Sequence, residues 1–271
     1  MSDDSSEATL IVQLEKAPLT EVTGIVDANG SGGGMLPGDD QWTMTFTFVA
    51  WRQEHHRLNT NELIVRRKVS DEELKSFMNS IKPDSIIRIR AKVLEDNIWG
   101  RPEALLDAVV GEYSRDIELN DFLTKRKKPV TYMDARFGEF TLDRTVDWFS
   151  GKTKWNESII DLNLKNDVSG NVQAALQAAY ELWQDSANWD QRIRDCIARD
   201  LLPLKSQNWT EDDGSIVSRE QFEARMKLRS ITVRADGSFD ADYDDDDLFW
   251  GHDIVVYGSL NGGVTSAGIQ G

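Results

Sequence analysis

Between positions 239 and 253 the sequence reads FDADYDDDDLFWGHD, seven aspartates in fifteen residues with no Lys or Arg among them. Carboxylates at this density suggest three chemistries: oxygen ligands for a hard cation, a proton shared between a carboxylate and His252, or an acidic surface for a basic partner. A calcium loop needs glycine at its sixth position and glutamate at its twelfth. Counted from Asp240 these positions hold Asp245 and Gly251; counted from Asp242 they hold Asp247 and Asp253. The calcium-loop motif is absent, and neither metal nor cofactor is expected. Asp240 and Asp242 alternate with Phe239, Ala241 and Tyr243, which predicts a strand with these two aspartates on its solvent face. Asp244, Asp245, Asp246 and Asp247 then form a connection, and Leu248, Phe249 and Trp250 return the chain to a core. His252 follows a glycine amid aspartates. It fits either acid–base work or a hydrogen bond that pins a strand start, and with no nucleophile nearby the structural role is expected.

Other reactive residues lack context. Cys196 sits mid-helix between Asp195 and Ile197, with acidic neighbours that do not lower a thiol pKa, and reads as a buried apolar residue. His55 and His56 are adjacent at a strand end, where successive side chains point to opposite faces, so they are poor joint ligands. Two stretches mimic phosphate loops. GSGGG at 30–34 has no lysine and no helix after it, and reads as a hairpin tip. GKT at 151–153 has Val146 where a Walker loop needs its first glycine, and reads as a turn. The tryptophans at 148, 155, 183, 189, 209 and 250 are expected as core anchors rather than a base-stacking ladder.

The chain has 271 residues and a formal charge of −16. That balance speaks against nucleic acid and anionic membranes as partners, both of which need positive surface. One cysteine cannot form an internal disulfide, and MSDDSSEATL is no secretion signal, so a cytoplasmic protein without a membrane span is expected.

The elements needed to position these residues fall into two groups. In the first half, ATLIVQL, LTEVTGIVDA, WTMTFTFVAW and ELIVRRKV read as strands. Trp42, Met44, Phe46 and Phe48 share one face of the third, and Thr43, Thr45 and Thr47 the other. Ser70 and Glu73 form a capping box for one helix, followed by strands at SIIRIRAKVL and ALLDAVV. Strands, a helix and two further strands predict a small barrel of the oligonucleotide/oligosaccharide-binding (OB) type over residues 1–115. Residues 116–134 include the basic TKRKKPV and read as a solvated linker. Over 135–271, GEFTLD, TVDWFSG, KTKWNE and SIIDLNL read as strands. About three helices follow, the last capped by Ser218 and Gln221, and then RSITVRA, SFDADY and HDIVVYGSL. An α+β fold results: an OB-like barrel, then an antiparallel sheet with helices.

The stretches RFGEFTLDRTVDWFSGKTKW, LLPLKSQNW, the run from Ser218 through DLFWGH, and the closing GGVTSAGIQG resemble a bacterial family of uncharacterised domains, DUF2262, over residues 132–271. Asp247-Leu248-Phe249-Trp250-Gly251-His252 is the most specific match. Gly138, Phe140, Leu142, Asp143, Asn208, Trp209 and Phe222 fit as well. The resemblance carries no catalytic residues. It implies the setting of immunity and accessory proteins in bacterial toxin systems. The acidity of 136–271, 24 acidic against 14 basic residues, then suggests a binding protein rather than an enzyme. Its partner would be a cognate toxin with a basic surface, possessing ADP-ribosyltransferase or nuclease activity, met through Asp244, Asp245, Asp246, Asp247, Phe249, Trp250 and His252. Two alternatives stand beside it. One is a hydrolase using His252 with Asp247 or Asp253, with or without a divalent ion. The other is a single-strand binder with a groove of Arg66, Arg67, Lys68, Arg88, Arg90 and Lys92 and a stacking platform at Trp42 or Trp51. Against the last, residues 1–115 hold 13 basic and 19 acidic side chains.

Overall fold

The computed structural model describes residues 3–209 and 217–270. The chain divides into two compact units, Met1–Lys128 and Pro129–Gly271, each built on its own sheet.

The first unit runs α1 (Asp3–Lys16), β1 (Leu19–Gly34), β2 (Trp42–Gln53), β3 (Leu63–Val69), α2 (Asp71–Ser80), β4 (Ile86–Leu94), β5 (Glu103–Glu112) and α3 (Ile117–Arg126). The strands close into a barrel in the order β1-β2-β3-β5-β4, with β3 and β5 parallel and β4 returning to β1. Five strands in this order, with a helix between the third and fourth, make an OB-like barrel. The alternation of β2 holds: Met44, Phe46 and Phe48 are buried inside, and the threonines between them face outward. The capping box at Ser70 forms as expected, and Leu74 of α2 packs beside Gly33 of β1, where a Cβ would lie 2.7 Å from its methyl groups.

That close approach corrects one expectation. The GSGGG stretch is no hairpin tip: Ser31, Gly32 and Gly33 pair with Phe46, Thr45 and Met44 inside β1, and Gly33 is needed for the space that Leu74 fills. A second correction concerns ATLIVQL, which belongs to α1 and not to a strand. In a strand, residues 10, 12 and 14 would share a face. Here Leu10 and Leu14 are fully buried while Val12 is 47% exposed, the helical spacing. The expected linker 116–134 is folded as well. Asp116 caps α3 by accepting from the Leu119 amide at 3.0 Å, and Leu119, Phe122 and Leu123 pack on Ile25, Val49, Ala50 and Ile86 outside the barrel. The basic residues of this stretch include Lys125 and Arg126 in the last turn of α3, where cations complement the helix dipole. Among the described residues, the unit thus holds three helices rather than one.

The second unit runs β6 (Thr131–Asp134), β7 (Gly138–Asp143), β8 (Trp148–Trp155), β9 (Ser158–Lys165), α4 (Gln173–Gln184), α5 (Ser186–Asn208), α6 (Arg219–Arg225), β10 (Lys227–Val233), β11 (Ser238–Asp244), β12 (Asp253–Ser259) and β13 (Gly263–Gln270). They form an eight-stranded sheet in the order β13-β12-β11-β10-β9-β8-β7-β6, antiparallel except where β9 and β10 run parallel. Leu176, Leu182, Ile193, Ile197 and Leu201 of the helices share one core with Phe140, Leu162, Ile231 and Phe239 of the sheet. TVDWFSG and KTKWNE are not two strands: their core is the single strand β8, so GKT lies in a strand and not in a turn. A Cβ at Gly151 would meet the Glu139 carbonyl at 2.7 Å, so this glycine serves strand packing. Among the described residues, no helix is long and apolar enough to cross a membrane.

Candidate functional site

The acidic run folds back on itself. Asp240 and Asp242 point away from buried Phe239, Ala241 and Tyr243 as their alternation requires, but both are half-buried rather than solvated. Asp240 pairs with Arg234, and Asp242 accepts from the Ser230 hydroxyl at 2.7 Å, with burial raising its pKa above the usual carboxylate value. Asp244 accepts from the Asp246 amide at 2.8 Å. Asp245 is 3% exposed and accepts from the amides of Asp247 (3.0 Å) and Phe249 (2.6 Å). Asp246 bonds Lys227 at 3.2 Å and Arg225 at 3.3 Å, and the Lys227 bond leads in lowering its pKa. Asp247 is exposed with φ +65°. These are turn-forming contacts, in which short carboxylates bond amides two to four residues on. Among the described residues, no three His, Cys, Asp or Glu side chains come together as a metal site would need.

Phe249 is fully buried against Trp209 and Phe222, so it is not available as a contact residue. Trp250 is. It is 69% exposed, stacks on Trp209 at 4.7 Å and holds a left-handed φ of +61°. A bulky residue rarely adopts that conformation. His252 is half-buried with its ring edge-on to Trp209 at 5.6 Å. Asp253, its neighbour, is paired with Arg229. Among the described residues, the structure therefore joins His252 to an aromatic ring and not to a carboxylate. Cys196 is buried, and burial with Asp200 alongside pushes its thiol pKa up to about 11.

The first unit presents a second candidate on the outside of its barrel. A groove of about 490 Å³ runs between α1, the β1–β2 loop and β3. Arg66, Arg67 and Lys68 of β3 border it, with Thr43 of β2 and Leu105 of β5 alongside; Arg66 and Lys68 share one face of the strand, while the Arg67 side chain reaches Glu73 and the Phe77 ring of α2. Each cation has a carboxylate partner. Lys68 bonds Asp39 of the β1–β2 loop at 2.6 Å, and Arg67 lies 3.7 Å from Glu73. Arg66 lies between Glu103, which is wholly buried, at 2.8 Å and Glu7 of α1 at 3.0 Å. Arg90 and Lys92 of β4 follow beyond β5, bonded to Asp107 and to the Glu15 carbonyl. Arg88 is turned away to Glu21 and the Tyr113 ring.

Neither expected stacking residue serves. Trp51 is buried with its indole N–H donating to the Asn61 carbonyl at 2.8 Å, and Trp42 packs against the barrel core. Sequence reasoning missed Trp99, which stands 39% exposed in the β4–β5 loop with Arg101 5.4 Å from its ring centre. It also missed Leu36, 62% exposed in the β1–β2 loop. The signal for both was a large apolar residue inside a Gly- and Pro-containing connection. OB barrels hold their ligands with the β2–β3 face and these two loops.

Residues 134–269 match a family described as an uncharacterized protein conserved in bacteria (DUF2262), and residues 10–126 match a domain of unknown function (DUF7021). No curated protein matches the chain. Among solved structures, the chain is similar to a small single-stranded DNA-binding protein from Streptomyces coelicolor. Identity is 10% and the TM-score 0.28, over 37% of this chain and 99% of that one. It is also similar to the wild-type single-stranded DNA binding protein from Thermus aquaticus, at 8% identity and TM-score 0.26, over 54% of this chain and 72% of that one. The expectation that set nucleic acid aside as a partner rested on net charge, and the cations that β3 brings together at Arg66 and Lys68 correct it. Physically, a net charge averages over the whole chain, whereas a ligand feels charges within a Debye length of about 8–10 Å.

Proposed function

We propose that this chain, which belongs to the bacterial family DUF2262, is a binding protein whose N-terminal barrel takes single-stranded nucleic acid along the groove beside β3. One observation carries the reading: Arg66 and Lys68, on one face of β3, line a single groove on the ligand face of an OB-like barrel. Cations spaced along such a groove track a phosphate backbone, and exposed aromatic faces stack bases without regard to sequence. Trp99 supplies such a face in the β4–β5 loop, and Leu36 an apolar edge in the β1–β2 loop. Binding, not catalysis, is the proposed activity. Because Arg66 and Lys68 are already paired, a strand must exchange one anion for another, which favours modest affinity.

Fluorescence polarisation of a labelled twelve-nucleotide thymidine strand tests this. Engaging two phosphates gives a slope of log affinity on log salt of about −1.4 for single strands. Lys68→Gln is expected to flatten that slope by about 0.7, and Trp99→Ala to weaken binding at every salt. The reading fails if neither this chain nor a variant with α1 released binds saturably at low salt. It also fails if Lys68→Gln and Trp99→Ala together leave affinity and slope unchanged.

One observation favours a protein partner at the second unit as well: Trp250 is exposed, strained and backed by Trp209. A toxin with a basic surface is one partner of that kind. Steering by the acidic run has little left to draw on, because Asp244 and Asp245 bond amides of the turn and Asp246 pairs with Lys227 and Arg225.

A further inference from the structure

We infer that α1 is an intramolecular competitor for the barrel's ligand groove, and that α1 docking and strand binding exclude one another. The inference rests on the nucleic-acid reading of that groove. Arg66 is the hinge of the argument. It is shared by two carboxylates of different character: Glu103 has no exposed surface, while the Glu7 carboxylate is 48% exposed. The first is a permanent counter-ion set into β5. The second sits where an incoming phosphate oxygen would meet the guanidinium, and an anion from solution can replace it. Further along the same wall, Ile11, Val12 and Glu15 of α1 border the groove, so a strand laid across β3 and β5 meets the helix sterically as well as electrostatically.

The attachment of α1 suits release. Among the described residues, the core cluster inside the barrel contains none of α1. Leu10 and Leu14 are fully buried, yet α1 packs on β4 and β5 from outside a barrel that is closed without it. Among the polar ties of α1 are Glu7 to Arg66, and Lys92 to the Glu15 carbonyl at 2.5 Å, both at the solvent-facing side of the groove wall. Linkage then makes the effect reciprocal. Whatever factor α1 docking takes from ligand affinity, ligand must take from α1 docking.

Two full-length variants and one labelled probe test the inference. Leu10→Asp with Leu14→Asp removes the apolar anchor of α1, and Glu7→Gln removes only the competing charge. With the labelled twelve-thymidine strand at low salt, the double variant is expected to bind about tenfold tighter than the natural chain, the gain when a largely docked helix is set free. Glu7→Gln is expected to bind about threefold tighter, losing one of two competing effects. In the natural chain, saturating unlabelled strand should speed amide hydrogen exchange in residues 10–15 while β2 and β3 stay protected. If the double variant does not fold, Glu7→Gln and the exchange experiment decide. Equal affinity in all forms, with exchange in α1 unchanged by ligand, overturns this inference and leaves the nucleic-acid reading standing. Binding by none of them overturns both.

Discussion

Replacing Asp245 by alanine tests whether the acidic run is a surface or a structural turn. The side chain is 3% exposed and accepts from two amides, at 3.0 Å from Asp247 and 2.6 Å from Phe249. Hydrogen bonds to a charged group contribute about 1.5–3 kcal/mol each. The Asp247 amide belongs to an exposed residue, so water takes over there and the loss is at the low end. The Phe249 amide belongs to a fully buried residue, so its donor is left without a partner, and the loss there is the cost of that unsatisfied group, about 1–3 kcal/mol. Asp245→Ala is therefore expected to destabilise the second unit by about 3 kcal/mol. Asp245→Asn, which keeps one acceptor oxygen, should cost about half of that. Exposed Asp247→Asn should stay within about 0.5 kcal/mol. Urea unfolding followed by differential hydrogen exchange separates the two units. With a slope of about 2 kcal/mol/M, the midpoint of residues 129–271 should fall by about 1.5 M in Asp245→Ala, while that of residues 1–128 is unmoved. If Asp245→Ala proves no more damaging than Asp247→Ala, the carboxylate is not an internal cap and the acidic run is free surface after all.

Three further outcomes follow from other sites. Gly24→Ala places a Cβ 2.5 Å from the Phe48 ring inside the barrel, and calorimetry of the first unit should show a loss of about 1–3 kcal/mol. Asp200 accepts from Arg199 and from the Ala267 amide, ties α5 to β13, and has its pKa lowered to about 2, chiefly by the Arg199 bond. A carboxylate depressed in the folded state stabilises above its unfolded pKa and loses that contribution as pH falls through the folded one. Stability measured from pH 5 down to 2 should therefore drop by up to about 2 kcal/mol more in the natural chain than in Asp200→Asn. Cys196, buried and with its thiol pKa near 11, should resist alkylation at pH 8 in the native state and react on unfolding; rapid native labelling would contradict the packing.

What the sequence discloses follows how local the cause is. The alternation of β2 and the capping boxes at Ser70 and Ser218 are set by residues next to one another, and the structure forms them as read. The order of strands and helix that implies the barrel is legible for the same reason. α1 is not, because a run as short as Leu10-Ile11-Val12 fits either period, and only the barrel wall decides which leucines it covers. The glycines at 33 and 151 look like turn residues, but each answers to a distant neighbour, Leu74 and the Glu139 carbonyl. The candidate sites divide likewise. The location of the DLFWGH turn is readable from its apolar return, yet the burial of Asp245 and Phe249 depends on amides and rings brought in by the fold. Trp99 and Leu36 stand out only once the β1–β2 and β4–β5 connections are known to flank a ligand face.

The sheet of the second unit also carries its folding history in its order. β6 to β9 pair with sequential neighbours, as do β10 to β13, so each set of four strands is a meander closed by short turns. The parallel seam between β9 and β10 joins them across residues 166–226, which include α4, α5 and α6. Closing a loop of that length costs more entropy than closing any of the turns, though the cost grows only logarithmically. Loop-closure entropy must be paid before non-local contacts reward it, so the two meanders are expected to form before the seam, an order that pulsed hydrogen exchange during refolding would test. Until it closes, β9 and β10 each present an unpaired edge, and the helices between them must collapse on both halves before either edge meets another chain.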